Sequence, residues 1–282
     1  MHFLDLTDAR CDPDAAAYVV LPVPYEGTVT YRAGTADAPA AILAASTQVE
    51  LYDEELHAAF AEAGVATHAP IAPADTPAEQ MARVRRAAAA VLAAGQFPLA
   101  LGGEHSITAP LVQACAAGGG PLSVLQIDAH ADLRNTYDGT KYSHACVMRR
   151  VLEVADRICQ VGVRSYSQEE RDECPEQIAR LVTPRQIADD PVWIDGVLAR
   201  LGPRVYVTVD MDGFDPSVAP GVGTPEPGGL TWREATALLR RVCAERRVVG
   251  ADIVEARPLG ANHVTEFVAA RLACKIIAYT QA

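Results

Sequence analysis

The chain has 282 residues, half of them hydrophobic and 21% charged, which is enough apolar sequence for a sizeable buried core. Its net charge of −12 argues against nucleic acid or an anionic membrane surface as a partner. No segment is long and apolar enough to span a bilayer, and the first residues carry neither the basic stretch nor the apolar run of a signal peptide, so a cytoplasmic protein is expected.

No low-complexity run, charge block or Ser/Gly linker divides the chain and no repeat recurs, so one domain over 1–282 is expected. A helix is expected over 76–94, opened by Asp75-Thr76-Pro77 and closed by Gly95. A strand over 97–101 follows and ends at Gly102-Gly103-Glu104-His105, then a helix over 106–117. A strand over 122–127 runs into Asp128, and 157–163 is another strand. A helix over 191–201 precedes a strand over 205–209 that leads into Asp210. A helix over 232–244, a strand over 248–254 ending at Glu255, and a last helix over 264–279 complete the chain. Helices alternating with continuous apolar strands imply an α/β fold with a mainly parallel sheet covered on both faces. Four strands thus deliver acids or imidazoles at their C-terminal ends, the edge where such sheets bind ligands. The seven cysteines (11, 115, 146, 159, 174, 243 and 274) are scattered and form no C-x-x-C pair, which speaks against a disulfide framework or a cysteine zinc site.

In Asp128-Ala129-His130-Ala131-Asp132, positions i, i+2 and i+4 at a strand end extend from one face and can converge. Two carboxylates and an imidazole brought together repel and resist desolvation unless a cation joins them; the alternative is a solvated acidic turn. Asp210-Met211-Asp212 repeats the device on another strand, although D-x-D also ends many strands that bind nothing. His105, after the glycine pair, is a structural histidine if taken alone and a third element in this company. Two imidazoles and four carboxylates suit Mn²⁺, and less specifically Zn²⁺, Fe²⁺, Co²⁺ or Ni²⁺. Six ligands exceed the needs of one ion and match two, a pair that lowers the pKa of a coordinated water toward neutrality. The residues therefore point to metal-assisted hydrolysis.

The motifs Gly102-Gly103-Glu104-His105-Ser106, Asp128-Ala129-His130-Ala131-Asp132, Tyr142-Ser143-His144-Ala145 and Asp210-Met211-Asp212-Gly213-Phe214-Asp215-Pro216 stand in the order seen in the ureohydrolases. The chain resembles that family of arginases and agmatinases over nearly its whole length; 23–25, 30–34, the loop 220–230 and Val254-Glu255 match as well. Ala33 stands where the family usually has proline. The loop after Asp132 lacks the Ser/Asn-rich stretch of arginases, which favours the agmatinase branch.

The resemblance implies a three-layer αβα arginase-like fold and two Mn²⁺ per chain on His105, Asp128, His130, Asp132, Asp210 and Asp212. It implies that Asp132 also accepts a proton and passes it to the leaving amine. His144 would shuttle protons or orient substrate near the mouth, the other reading being a surface loop histidine. Glu255 would pair with a guanidinium, a group that favours carboxylate contacts, unless it is held in an ordinary ion pair with Arg257 or Arg164. Thr224 and Gly223, in a loop without the G-K-[ST] of a phosphate cradle, would shape the pocket, and Glu104 would orient His105. The expected substrate is a small cationic guanidino compound, with agmatine giving putrescine and urea as the first reading. N1-aminopropylagmatine giving spermidine and urea, and guanidinobutyrate, are the alternatives. A catalytically silent metal-binding relative and a metal deacylase are rivals of another kind. Family members are commonly trimers or hexamers, so a homo-oligomer is expected.

Overall fold

The computed structural model describes residues 1–7 and 9–282. Seven strands form one sheet: β1 (Tyr18–Val23), β2 (Val65–Thr67), β3 (Phe97–Gly102), β4 (Ser123–Ile127), β5 (Arg157–Val161), β6 (Arg204–Asp210) and β7 (Arg247–Val254). They lie in the order β2-β1-β3-β7-β6-β4-β5, and every neighbouring pair is parallel. Because strand side chains alternate, each strand feeds two cores. In β6, Val205, Val207 and Val209 pack with the helices Trp193–Arg200, Trp232–Glu245 and Val264–Tyr279. Tyr206 packs on the opposite face with the helices Pro77–Ala93, Thr108–Ala116 and Val147–Val151. Buried on both faces, the strands read as continuous apolar runs, and the architecture is the expected αβα sandwich.

Local chemistry accounts for the helix ends. Thr76 accepts a hydrogen bond from the Glu79 amide, Pro77 occupies the first helical position, and Met81, Val84, Ala88 and Val91 form the buried stripe of Pro77–Ala93. That helix closes on Gly95 at φ +77°, with Gly95 N bonded to Leu92 O and Gln96 N to Val91 O. Thr231 and Glu234 cap Trp232–Glu245 reciprocally. Val264–Tyr279 is apolar nearly all round and is correspondingly buried.

Several boundaries differ from the expected ones by a residue or two, and two of the differences have a visible cause. The segment after β3 opens as a 3-10 turn, His105–Ile107, and becomes an α-helix only at Thr108. β5 stops at Val161, because Gly162 turns at φ +93° to bond Val182 O. β1, β2 and the helix Ala38–Ser46 have no counterpart among the expected elements. β1 carries Pro22, a residue that usually argues against a strand. It is tolerated because β2 pairs only with Tyr18–Val20 and demands no amide there. No helix of the described residues is long and apolar enough to cross a membrane.

Candidate metal centre

β3, β7, β6 and β4 are neighbours in the sheet, and their C-terminal ends carry His105, Glu255, Asp210 with Asp212, and Asp128 with His130 and Asp132. Register fixes the depth: Ile127 pairs with Val209, so Asp128 and Asp210 leave the sheet at one level. The three side chains of the D-x-H-x-D run do converge, but by turns rather than by strand pleating. β4 ends at Ile127, and Asp128 Oδ1 then accepts the amide of His130 at 2.6 Å. The chain curls again at Asp132, which sits at φ +54°. Asp210 Oδ1 accepts the amide of Asp212 at 2.9 Å in the same way. Glu255 is at φ +61°. Two non-glycine residues in the left-handed region at one site are backbone strain that the surrounding fold enforces.

The exits of β4 and β6 touch, with Ala129 N bonded to Asp212 Oδ1 at 3.1 Å. Gly213 permits this, because a Cβ there would lie 2.7 Å from Asp128 N and 3.0 Å from its Cα, both backbone atoms. Gly213→Ala is expected to lower stability by about 1–3 kcal/mol through overpacking, read as a shifted denaturant midpoint; an unchanged midpoint would show that the two loops separate freely.

Two groups of metal-ligand type share one residue. His105, Asp128 and Asp132 form the first and Asp128, His130 and Asp212 the second. Nδ1 of His105 lies 3.1, 3.2 and 3.3 Å from carboxylate oxygens of Asp128, Asp132 and Asp210. Nδ1 of His130 lies 3.0 Å from Asp212 Oδ2 and 3.6 Å from Asp128 Oδ1. All six expected ligands are thus gathered, five of them buried.

The donor set fits a cation. Buried His105 Nδ1 has no partner in hydrogen-bonding geometry although three carboxylates surround it. Its other nitrogen, Nε2, lies 2.9 Å from Thr208 Oγ1, whose proton goes to Asp252 Oδ1 at 2.6 Å. Thr208 therefore accepts from Nε2–H, and Nδ1 is the nitrogen that faces the acids: in the metal-free chain the surrounding carboxylates outweigh burial and keep it protonated, and a cation would take that proton's place. The carboxylates cannot all ionise without a cation. Burial, then the charge of Asp128, pushes Asp132 up to about 7. Burial and the charges of Asp212 and Asp128 hold Asp210 well above the usual range. Burial opposes ionisation of Asp128 too, yet the adjacent imidazoles of His105 and His130 keep it below that range.

A pH dependence follows. Asp132 loses its proton near 3.8 when unfolded and near 7 when folded, so across that window the folded, metal-free chain binds more protons and its stability falls as pH rises. Melting in chelator is expected to weaken from pH 4.5 toward pH 7, and saturating Mn²⁺ to remove most of that loss. A metal-free melting temperature that climbs over the same range would contradict this electrostatic picture.

A cavity of 340 Å³ opens above the cluster, lined by His144, Glu255, Thr224 and Gly223, with Tyr31, Tyr137 and Tyr166 among its other walls. Glu255 makes no ion pair with Arg257 or Arg164 among the described residues. Its Oε1 accepts the amide of His105 at 2.7 Å, and burial, then the charge of Glu104, raises its pKa to about 8. His144 is half-buried in the cavity wall. Thr28 gives its hydroxyl proton to Glu104 (2.9 Å), so its oxygen accepts from His144 N (3.2 Å) and Nδ1 (3.3 Å). Nε2 of His144 is thereby a lone pair, and burial lowers its pKa to about 4. The hydroxyl of Thr224 is engaged with Asp212 Oδ2 at 3.1 Å. Arg164 binds the carbonyls of Glu226, Pro227 and Asp212, which fixes the loop 220–230 as a wall.

One expectation is corrected. Glu104 does not touch the His105 ring: its carboxylate accepts from Gly27 N, Thr28 N, Thr28 Oγ1 and Ser106 Oγ, and so anchors the segment beside His144. The amide of His105 is held instead by Glu255, and its Nε2 by Thr208. Thr28, Thr208 and Asp252 are absent from the sequence-derived site. Asp252 offered a signal, an acid inside an apolar strand, whereas Thr28 offered none.

A family model described as the Arginase family matches residues 16–278. A protein of Synechocystis sp. named N(1)-aminopropylagmatine ureohydrolase is 42% identical over 94% of this chain and 89% of its own length. A Pyrococcus horikoshii protein named agmatinase is 32% identical over 97% of this chain and 95% of its own. The crystal structure of agmatine ureohydrolase of Thermoplasma volcanium superposes with a TM-score of 0.88 at 35% identity, covering 98% of this chain and 93% of that one.

Proposed function

The chain belongs to the arginase family, and from that premise we propose that it is a binuclear manganese ureohydrolase releasing urea from N1-aminopropylagmatine and leaving spermidine. The broader class stands on its own: the chain is a hydrolase acting on guanidino C–N bonds. The observation that carries the site reading is the pair of donor groups sharing Asp128 at the floor of a cavity that Glu255 and His144 also line. His105, Asp128, Asp132 and Asp210 would hold one ion, and Asp128, His130, Asp210 and Asp212 the other. Bound as a pair, the ions supply a nucleophile at neutral pH and offset negative charge developing in the transition state.

The chain's own residues do the rest. Asp132 would take a proton from the nucleophile and return it to the departing amine. Glu255 has one oxygen occupied by His105 N and the other available to a guanidinium N–H. His144 offers its Nε2 lone pair to a substrate proton near the mouth. Thr224, through Asp212, holds the wall of the second group in place.

For the substrate tail, the relative named for N1-aminopropylagmatine is the more similar in sequence, which reverses the order expected from sequence and puts agmatine second. Tyr31, Tyr137 and Tyr166 line the way out and offer aromatic faces to ammonium groups. Two of those faces already carry cations, with Arg32 5.3 Å from the Tyr31 centroid and Arg134 4.9 Å from that of Tyr137. These arginines favour one other reading, a tail ending in carboxylate such as guanidinobutyrate. Urea release from N1-aminopropylagmatine, agmatine, guanidinobutyrate and arginine decides. The highest kcat/KM is expected for N1-aminopropylagmatine, and a preference for guanidinobutyrate would transfer the assignment to the second reading.

A further inference from the structure

A row of polar side chains runs across four adjacent strands, from the edge strand β5 inward to β7, one step below the metal centre. Gln160 of β5 is in register with Gln126 of β4, Gln126 with Thr208 of β6, and Thr208 with Asp252 of β7. All four are buried, at 2% exposure or less. The Thr208–Asp252 half meets His105, as described above. The glutamine half has no role in the mechanism, and amides are uncommon in the middle of strands buried on both faces.

The hydrogen bonds of the two glutamines account for all four of their amide protons. Gln126 Nε2 donates to Asp128 Oδ2 at 2.6 Å and to His130 O at 3.5 Å. Gln160 Nε2 donates to Gln126 Oε1 at 2.6 Å and to Ala131 O at 2.7 Å. Their orientations are forced from both ends. Asp128 carboxylate and Ala131 carbonyl are acceptors only, so each must face an NH₂ group, and the Gln126 oxygen must then face Gln160. Gln160 Oε1 is left buried without a partner, a penalty of about 1–3 kcal/mol that the fold sustains to keep this arrangement. Every donor therefore ends on the segment 128–131 or on the partner glutamine, and one reaches the oxygen of the shared carboxylate that faces His105.

We infer that Gln126, oriented by Gln160, is a positioning residue that holds Asp128 and its turn in the geometry that receives both metal ions. A neutral donor suits this role, because it fixes a carboxylate oxygen without adding a charge that would compete with the ions for it. An arginine or lysine there would pair with Asp128 and discharge it. The inference rests on the binuclear reading above, and its failure is distinguishable from failure of that reading.

A titration of the metal-free chain with Mn²⁺, together with thermal melting in chelator, tests this for wild type, Gln126→Met and Gln160→Leu. Gln126→Met is expected to weaken Mn²⁺ binding by about 10–100-fold and to lower kcat with little change in KM. Gln160→Leu, which touches Asp128 only through Gln126, is expected to weaken Mn²⁺ binding by a smaller factor in the same direction. If Gln126→Met fails to fold, Gln160→Leu carries the test alone. Variants that lose melting temperature yet bind Mn²⁺ as tightly as wild type would overturn the inference and leave a purely structural pair. A wild-type chain that takes up no Mn²⁺ would instead overturn the binuclear reading.

Discussion

Asp128→Ala is expected to empty both halves of the site at once. Asp128 belongs to both donor groups, and its two oxygens face different imidazoles, Oδ2 toward His105 and Oδ1 toward His130. No neighbour is spare to replace it, because Asp210 would already serve both ions and Asp132 and Asp212 belong to different groups. Losing the ions removes several kcal/mol of transition-state stabilisation, so urea release should fall by ~10³-fold or more. Metal content should drop from about two ions per chain to well under one. Folding should survive, because deleting one of four crowded acids relieves repulsion in the metal-free chain even as it strands a Gln126 donor. Retention of full urea release by this variant would show that the chemistry occurs elsewhere.

Glu255→Gln separates substrate binding from metal binding. The amide keeps an acceptor for the backbone N–H of His105, so that residue and the ions should stay in place. What disappears is the negative charge that a bound guanidinium draws out on this carboxyl, whose pKa is otherwise raised to about 8. Losing one partner of a buried charge pair costs about 2–5 kcal/mol, which predicts a fall in kcat/KM of roughly 10²–10³-fold with Mn²⁺ content unchanged. Loss of Mn²⁺ together with activity would reassign Glu255 to holding His105 rather than substrate.

The residues gathered at the site were legible in the sequence because metal chemistry is demanding about residue type and position. Six acids and imidazoles at the ends of apolar strands have few other uses, and the parallel sheet places those strand ends together. How the side chains converge was less legible. Strand pleating was the expected device, whereas the structure uses carboxylate-to-amide turns at Asp128 and Asp210 and left-handed backbone at Asp132 and Glu255. Such turns depend on what crowds the loop from other strands, as Gly213 does against Asp128, and no local pattern announces that. Glu104 departs from expectation for a related reason. Its neighbour in sequence is His105, but its partners come from Gly27 and Thr28, nearly eighty residues away in the chain. Gln126, Gln160 and Asp252 did carry a signal, polar groups inside largely apolar strands, but only the register of the folded sheet shows that they form one row.

The last helix has the expected bounds, Val264–Tyr279, and the explicit capping chemistry at Thr76 and Gly95 brought another to within a residue at each end. They drifted where a 3-10 turn precedes the helix, as at His105–Ile107, because such a turn has the same apolar spacing without the same hydrogen bonds. β1 and β2 were missed because Pro22 and a three-residue edge strand give weak patterns, although both strands are buried.

The central claim is that this cluster, once loaded, hydrolyses a guanidino group. The most direct measurement strips the 282-residue chain with chelator, restores Mn²⁺ stepwise, and follows urea and amine from N1-aminopropylagmatine at each step. The account predicts no turnover in the stripped chain, then urea and spermidine in equal amounts, with activity reaching its plateau at about two Mn²⁺ per chain. A fully loaded chain that releases no urea from N1-aminopropylagmatine, agmatine, guanidinobutyrate or arginine would contradict it.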